Sequence, residues 1–345
     1  MKMNINVYNV YKITFVIIGT IIGAGFASGQ EIYSFFNKYG NRGLIGIFLS
    51  IGIITYIIYK TFNIIMDNNI NNYETFIIEI MPEKLKDNKI LIFTINNIIN
   101  IFLLISFNVM VAGFATYFFQ ELNIPKIYGA LLIAILSFII LINNIEGIIK
   151  INTYLMPIII LLICFLGINK IQFIHIVSEW NIKSHLHWLL SGILYASYNS
   201  IALIPIIISL KTKIKTKKEI TLITFFVGIV MTILSLNIFL LINTFINKIC
   251  EVEIPIAYIA SFLGKSFKKL YGIVILIAIF TTAVSSGYSF LKNTTKSKNK
   301  YLILALIISI FSIFVGQFSF SNLINILYPI FGYLGIIQII FLVIK

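Results

Sequence analysis

The chain has 345 residues, of which 59% are hydrophobic and 11% charged, with a mean hydropathy of +1.00. That balance lies far above the apolar share of soluble domains and excludes one as the bulk of the chain. The net charge of +14 resides mainly in lysines of short polar intervals, not on a basic face interleaved with stacking aromatics, so no nucleic acid partner is expected and the lipid bilayer is the surrounding medium.

Apolar stretches of roughly 20 residues match the length of a helix crossing about 30 Å of hydrocarbon. Runs such as "ALLIAILSFIILI" lack the two-residue alternation of barrel strands. In chain order the expected spans are approximately 12–36, 43–62, 90–119, 127–142, 147–168, 187–210, 220–246, 271–291, 301–317 and 322–344. The expectation is one all-α integral membrane domain of ten transmembrane helices occupying residues 1–345. With the N-terminus cytoplasmic, 17 of the 26 basic residues fall inside, including "KTKIKTKK" and "KNTTKSKNK", as cytoplasmic loops require. The location that follows is the cell membrane, crossed many times.

The first span contains "GTIIGAGFASGQEIYSFF", with Gly23, Gly25 and Gly29 clustered near mid-membrane. Each glycine weakens a helix interior by about 1 kcal/mol. Two G-x-x-x-G pairs, Gly19 with Gly23 and Gly25 with Gly29, also suit a helix-packing face. The sixth span favours a break instead, because Tyr195, Ser197, Tyr198, Asn199 and Ser200 interrupt its apolar run before Pro205, also at mid-depth. Spans one and six begin two five-span halves, 1–170 and 187–345, and an odd number of spans gives the halves opposite orientation. Interrupted segments at matching places in two inverted halves mark the substrate site of a secondary transporter. Breaks in both the first and sixth helices are therefore expected.

The first span also carries Gln30 and Glu31. An acid at mid-helix costs about 2.5–3.5 kcal/mol on insertion scales, which makes Glu31 a candidate for proton coupling or for a gate over the substrate. An acid in an aqueous vestibule is the alternative. In the third span Asn97, Asn100 and Asn108 share a helical face, with Asn108 the candidate for substrate contact. The eighth span places Thr281, Thr282, Ser285 and Ser286 within two turns. Hydroxyls beside released carbonyls suit a hard cation such as Na⁺, while the same hydroxyls also bond back to their own helix. His175, His185 and His187 flank Trp180 and Trp188, as interfacial anchors do. Cys164 and Cys250 have neither disulfide-framework nor metal spacing. No catalytic triad and no phosphate-cradling loop is present, so an enzyme is not expected, and no cofactor beyond Na⁺ is implied.

The "GAGFASGQE" string and the hydropathy pattern resemble the YkvI-type bacterial membrane proteins of the amino acid–polyamine–organocation superfamily. The resemblance implies a LeuT-like fold of five-plus-five inverted repeats. It also implies that Gly23, Ala24 and Gly25 offer backbone amides to a substrate carboxylate, with Tyr195, Ser197, Tyr198, Asn199 and Ser200 as further contacts. In sodium-coupled members of the superfamily the cation lies between first-helix carbonyls, here Gly19 and Ile22, and eighth-helix hydroxyls, here Ser285 and Ser286 with Thr282 adjacent. The expectation is an ion-coupled symporter, driven by Na⁺ or H⁺, for an amino acid or related small organic solute, with monomer and homodimer both compatible. The alternative is a ligand-sensing receptor subunit of the germinant type, which binds its ligand without net transport.

Overall fold

The computed structural model describes residues 6–70, 72–143, 146–170, 187–249, 252–295 and 297–345. Among them the regular structure is entirely helical. In chain order the elements are α1 (Val7–Ile21), α2 (Ala24–Ala27), α3 (Gln30–Phe35), α4 (Asn41–Asp67), α5 (Tyr73–Ile80), α6 (Lys89–Leu122), α7 (Lys126–Asn143) and α8 (Glu146–Lys170). They continue with α9 (His187–Leu210), α10 (Lys217–Thr244), α11 (Ile246–Ile249), α12 (Pro255–Ala260), α13 (Lys265–Thr294), α14 (Lys298–Val315) and α15 (Phe320–Ile344).

Helix starts are fixed by side chains that accept from otherwise orphaned amides. Asn6 caps α1, Asn88 caps α6, and Ser297 and Ser319 cap α14 and α15. At α10, Thr216 and Glu219 form a capping box. Glu219 is buried because it also accepts from the Asn6 backbone at 3.1 Å and from Lys215 at 2.8 Å, which ties the start of α10 to the start of α1.

Seven helices among the described residues are long and apolar enough to cross a bilayer: Asn41–Asp67, Lys89–Leu122, His187–Lys213, Lys217–Thr244, Lys265–Thr294, Lys298–Val315 and Phe320–Ile344. Three shorter apolar segments, Val7–Ile21, Lys126–Ile142 and Leu155–Asn169, fall in the runs read as spans one, four and five. Long aliphatic faces of α7, α10, α14 and α15 remain exposed, as a lipid-facing surface requires. Inside the bundle α9 packs against α4 and α15, α1 against α8, α9 and α10, and α6 against α7 and α13.

One expected feature is corrected. The sixth-span helix is not broken: α9 is continuous from His187 to Leu210, with Pro205 inside it. Its polar residues bond back to the helix itself, Ser197 Oγ to the Ile193 carbonyl at 2.7 Å, Asn199 Nδ2 to Tyr195 at 2.9 Å and Ser200 Oγ to Ser197 at 2.6 Å. These groups satisfy themselves on intact helical carbonyls and place no demand on the backbone to unwind.

Candidate functional site

The first span does break. After Ile21 the chain leaves the helix, with Ile22 at ψ 70° and Gly23 fully extended. The Gly23 amide donates to Ile21 at 2.9 Å and so does not continue the ladder to Gly19. A second irregularity follows at Gly29, whose φ of 82° lies in the left-handed region that glycine enters without steric cost. The backbone freed here finds partners from other elements. Tyr271 Oη of α13 donates to the Ala27 carbonyl at 2.6 Å, and the Ile256 amide of α12 donates to Ser28 at 3.0 Å. At the far end of α3, Ser191 Oγ donates to the Phe35 carbonyl at 2.7 Å. Irregular backbone at membrane depth is tolerated only with such compensation.

A cavity of about 960 Å³ reaches this break. Its mouth carries Lys12, Glu74, Lys213 and Asn293, all exposed. From there it runs between α1, α6, α9 and α13 to Gly23, Glu31, Tyr198 and Tyr328. Beyond that blind end stand buried aromatic rings. Phe35 lies 5.4 Å from Tyr195 and 5.7 Å from Tyr198, and Phe36 lies 5.0 Å from Tyr195, centroid to centroid. Among the described residues, this edge-to-face and stacked packing closes the cavity on the side opposite its mouth.

Glu31 is 3% exposed and sits at the inner end. The left-handed turn at Gly29 lets α3 start so that the carboxylate folds back over α2. There it accepts from Tyr198 Oη, with the Phe26 backbone close by. The closeness explains Gly25: a methyl at that position would overlap Glu31 Oε1 and stand 3.0 Å from its Cδ and Cγ. No Lys, Arg or His pairs with Glu31 among the described residues; the ion pairs lie elsewhere, as in Lys126–Glu253 and Lys268–Glu121.

Of the residues singled out in the sequence, Gly19, Gly23, Glu31, Tyr198, Asn199, Thr282, Ser285 and Ser286 line the one cavity. Ala24, Gly25 and Ile22 are buried behind it in the broken segment, and Gln30 is buried with Nε2 3.4 Å from Ser34 Oγ. Tyr195, Ser197 and Ser200 are buried in α9 outside the lining. Asn108 also lies outside it, donating to the Leu104 carbonyl at 2.8 Å, whereas Asn96 and Asn100 of the same helix do line it. His175, Trp180, His185 and Cys250 fall outside the described residues. Sequence reasoning missed Tyr328, Tyr271 and Met156. Tyr328 is one of two tyrosines in the apolar stretch of α15 and carries no local signal.

For a cation such as Na⁺, the oxygen types fit. Loss of the ladder at Gly23 leaves the Gly19 carbonyl without its helical donor, and the Phe26 amide does not serve the Ile22 carbonyl as a continued helix would. Gly23 packs 3.9 Å from the Thr282 methyl, measured from the position of a built Cβ, so the break and the α13 hydroxyls are neighbours. Thr282 Oγ1 is engaged with the Ala278 carbonyl at 2.8 Å, while Ser285 and Ser286 are half-buried on the cavity wall.

No protein-family model matches the chain. It is 27% identical over 334 residues to the uncharacterized membrane protein YkvI of Bacillus subtilis (strain 168), a match covering 94% of this chain and 92% of that protein. It is 24% identical over 323 residues to the uncharacterized protein YyaD of the same organism, covering 93% and 92% respectively. Both likenesses run nearly end to end. Together with seven apolar helices of crossing length, they make the chain a multi-pass helical membrane protein.

Proposed function

We propose that the protein is a secondary active transporter of the cell membrane, N-terminus cytoplasmic, which moves an amino acid or related small organic solute by alternating access coupled to Na⁺ or H⁺. The observation that carries this reading is the cavity: it enters from the face that carries Lys12, Glu74, Lys213 and Asn293, reaches the broken first helix, and among the described residues is closed beyond by Phe35, Phe36 and Tyr195. A membrane-embedded site open to one side is one of the two end states that alternating access requires.

The packing supports a LeuT-like pair of inverted repeats, with α1–α3, α7 and α8 taken as three further crossings. Numbering the ten crossings in chain order and shifting each by five turns the main neighbour pairs into one another. The contact of α1 with α10 becomes that of α9 with α4, and α1 with α8 becomes α9 with α15. Likewise α6 with α7 becomes α13 with α14, and α8 with α13 becomes α15 with α6. A repeat of one structural unit gives this pattern without effort; unrelated halves would not.

In this reading the solute sits between the break, the middle of α9 and α13, and the coupling ion uses the Gly19 and Ile22 carbonyls with Ser285 and Ser286, or the Glu31 carboxyl. Gradient-driven uptake into proteoliposomes tests it. A solute accumulated above its equilibrium level only when a Na⁺ or H⁺ gradient is imposed supports the reading. Specific binding with no accumulation under either gradient favours a receptor and overturns it.

A further inference from the structure

The inner end of the cavity has a chemical polarity that the fold alone does not dictate. Among the described residues that line it, Glu31 is the one acidic side chain at depth, Glu74 and the basic Lys12 and Lys213 stand at the mouth, and the remaining polar lining at depth is neutral: Asn199, Ser285, Ser286 and the tyrosine hydroxyls. A solute that reaches the break therefore meets a carboxyl group and, among the described residues, no basic side chain.

That carboxylate already occupies the place where an anionic group would be received. It folds back over the broken segment and covers Gly25 so closely that a methyl there would collide with it. A carboxylate has acceptor sites for about four hydrogen bonds, and the bond from Tyr198 Oη leaves capacity toward the cavity. A solute carboxylate brought to the same place would be crowded by the Glu31 side chain and, among the described residues, would meet no basic side chain, which is unfavourable in a medium of low dielectric.

The aromatic groups complete the picture. Tyr198 and Tyr328 both line the cavity at this depth, with ring centroids 4.9 Å apart. Ring faces attract cations through their quadrupole, and a carboxylate among ring faces is a common way of holding an ammonium group. Below them Phe102, Leu103, Met110 and Met156 supply apolar wall for the rest of such a molecule.

We propose that this cavity selects organic cations, amines or quaternary ammonium compounds without a carboxylate, with Glu31 as the counter-ion and the packed Tyr198–Tyr328 pair as one aromatic wall beside it. The proposal narrows the solute class of the transport reading and rests on it for turnover, but not for binding.

The test is equilibrium binding to the purified full-length protein, using matched probes that differ only in their charged ends: 3-methylbutylamine, leucine and 4-methylpentanoate, with tetramethylammonium and tetraethylammonium as quaternary probes. At least one cation is expected to bind, and the carboxylate-bearing partners at least tenfold more weakly. Glu31→Gln, which keeps the size and the hydrogen-bonding shape, is expected to weaken the cation by ~30-fold or more, as loss of a buried charge partner does. Tyr328→Leu, which leaves the carboxylate in place, should weaken it several-fold. Binding of leucine or 4-methylpentanoate in preference to every cation overturns the proposal, as does cation binding unchanged in both variants or no cation binding at all. Cation binding without gradient-driven accumulation would instead sink the transport reading alone, and accumulation of a zwitterion unaffected by Glu31→Gln would sink this proposal alone.

Discussion

Tyr198 and Glu31, 167 residues apart, meet through a hydrogen bond from the tyrosine hydroxyl to the carboxylate, and this bond joins the middle of α9 to the first turn of α3. It couples the two elements that form the end wall of the cavity. Loss of the hydroxyl in Tyr198→Phe leaves a buried carboxylate short of a donor and should destabilise the protein by about 1–3 kcal/mol. Thermal unfolding in detergent reads this directly, and an unchanged midpoint would show that the bond contributes nothing.

Gly25 and Glu31 should behave as one unit. Gly25→Ala places a methyl against the carboxylate and is expected to cost about 1–3 kcal/mol, the range of overpacking in a filled interior. Shortening the acid removes the obstacle, so Gly25→Ala combined with Glu31→Ala should be more stable than the sum of the single changes predicts. A double-mutant cycle measures this, and strict additivity would mean that the two do not touch.

Two glycines make a paired control. Gly29 is left-handed and a Cβ there would lie 2.7 Å from Ile256 Cγ1, so Gly29→Ala should lose ~1–2 kcal/mol for the backbone and more for the contact. Gly52, in the middle of α4, has no atom within 4 Å of a built Cβ. Gly52→Ala should be neutral or gain up to ~1 kcal/mol. The comparison of unfolding midpoints fails if the two substitutions act alike.

Tyr271→Phe removes the donor to the Ala27 carbonyl, a buried bond of 2.6 Å outside the cavity. The expected loss is about 1–3 kcal/mol of stability, because the carbonyl has no water to turn to. Solute affinity should fall far less than in Glu31→Gln. Equal losses of affinity in both would move Tyr271 into the binding site.

The first-helix break was legible because its cause is local: glycines clustered at mid-span with an acid behind them. The supposed break in α9 was not a break, since a run of Ser, Asn and Tyr looks the same whether it unwinds a helix or bonds back onto it. Only the geometry of Ser197, Asn199 and Ser200 on their own carbonyls decides between the two. Likewise Ser285, Ser286 and Glu31 were identifiable by type, but their convergence on one cavity depends on how α1, α3 and α13 pack. Tyr328 and Tyr271 were invisible for the same reason, each being one aromatic residue among many whose role comes from a partner far along the chain. The direction of the Glu31 side chain, back toward Gly25 and not outward, follows from the left-handed Gly29 and has no signature in hydropathy.

Alternating access requires that the cavity at the first-helix break open in turn to the two faces of the membrane. Its most direct test places a cysteine at Ser286, on a background with Cys164 and Cys250 replaced by serine, and measures labelling by membrane-impermeant thiol reagents from each side of oriented proteoliposomes. Predicted is labelling from both sides, with the fraction reactive from each shifting when solute or the ion gradient is added. Labelling from the side of Lys12 and Lys213 alone, under every condition, would contradict alternating access.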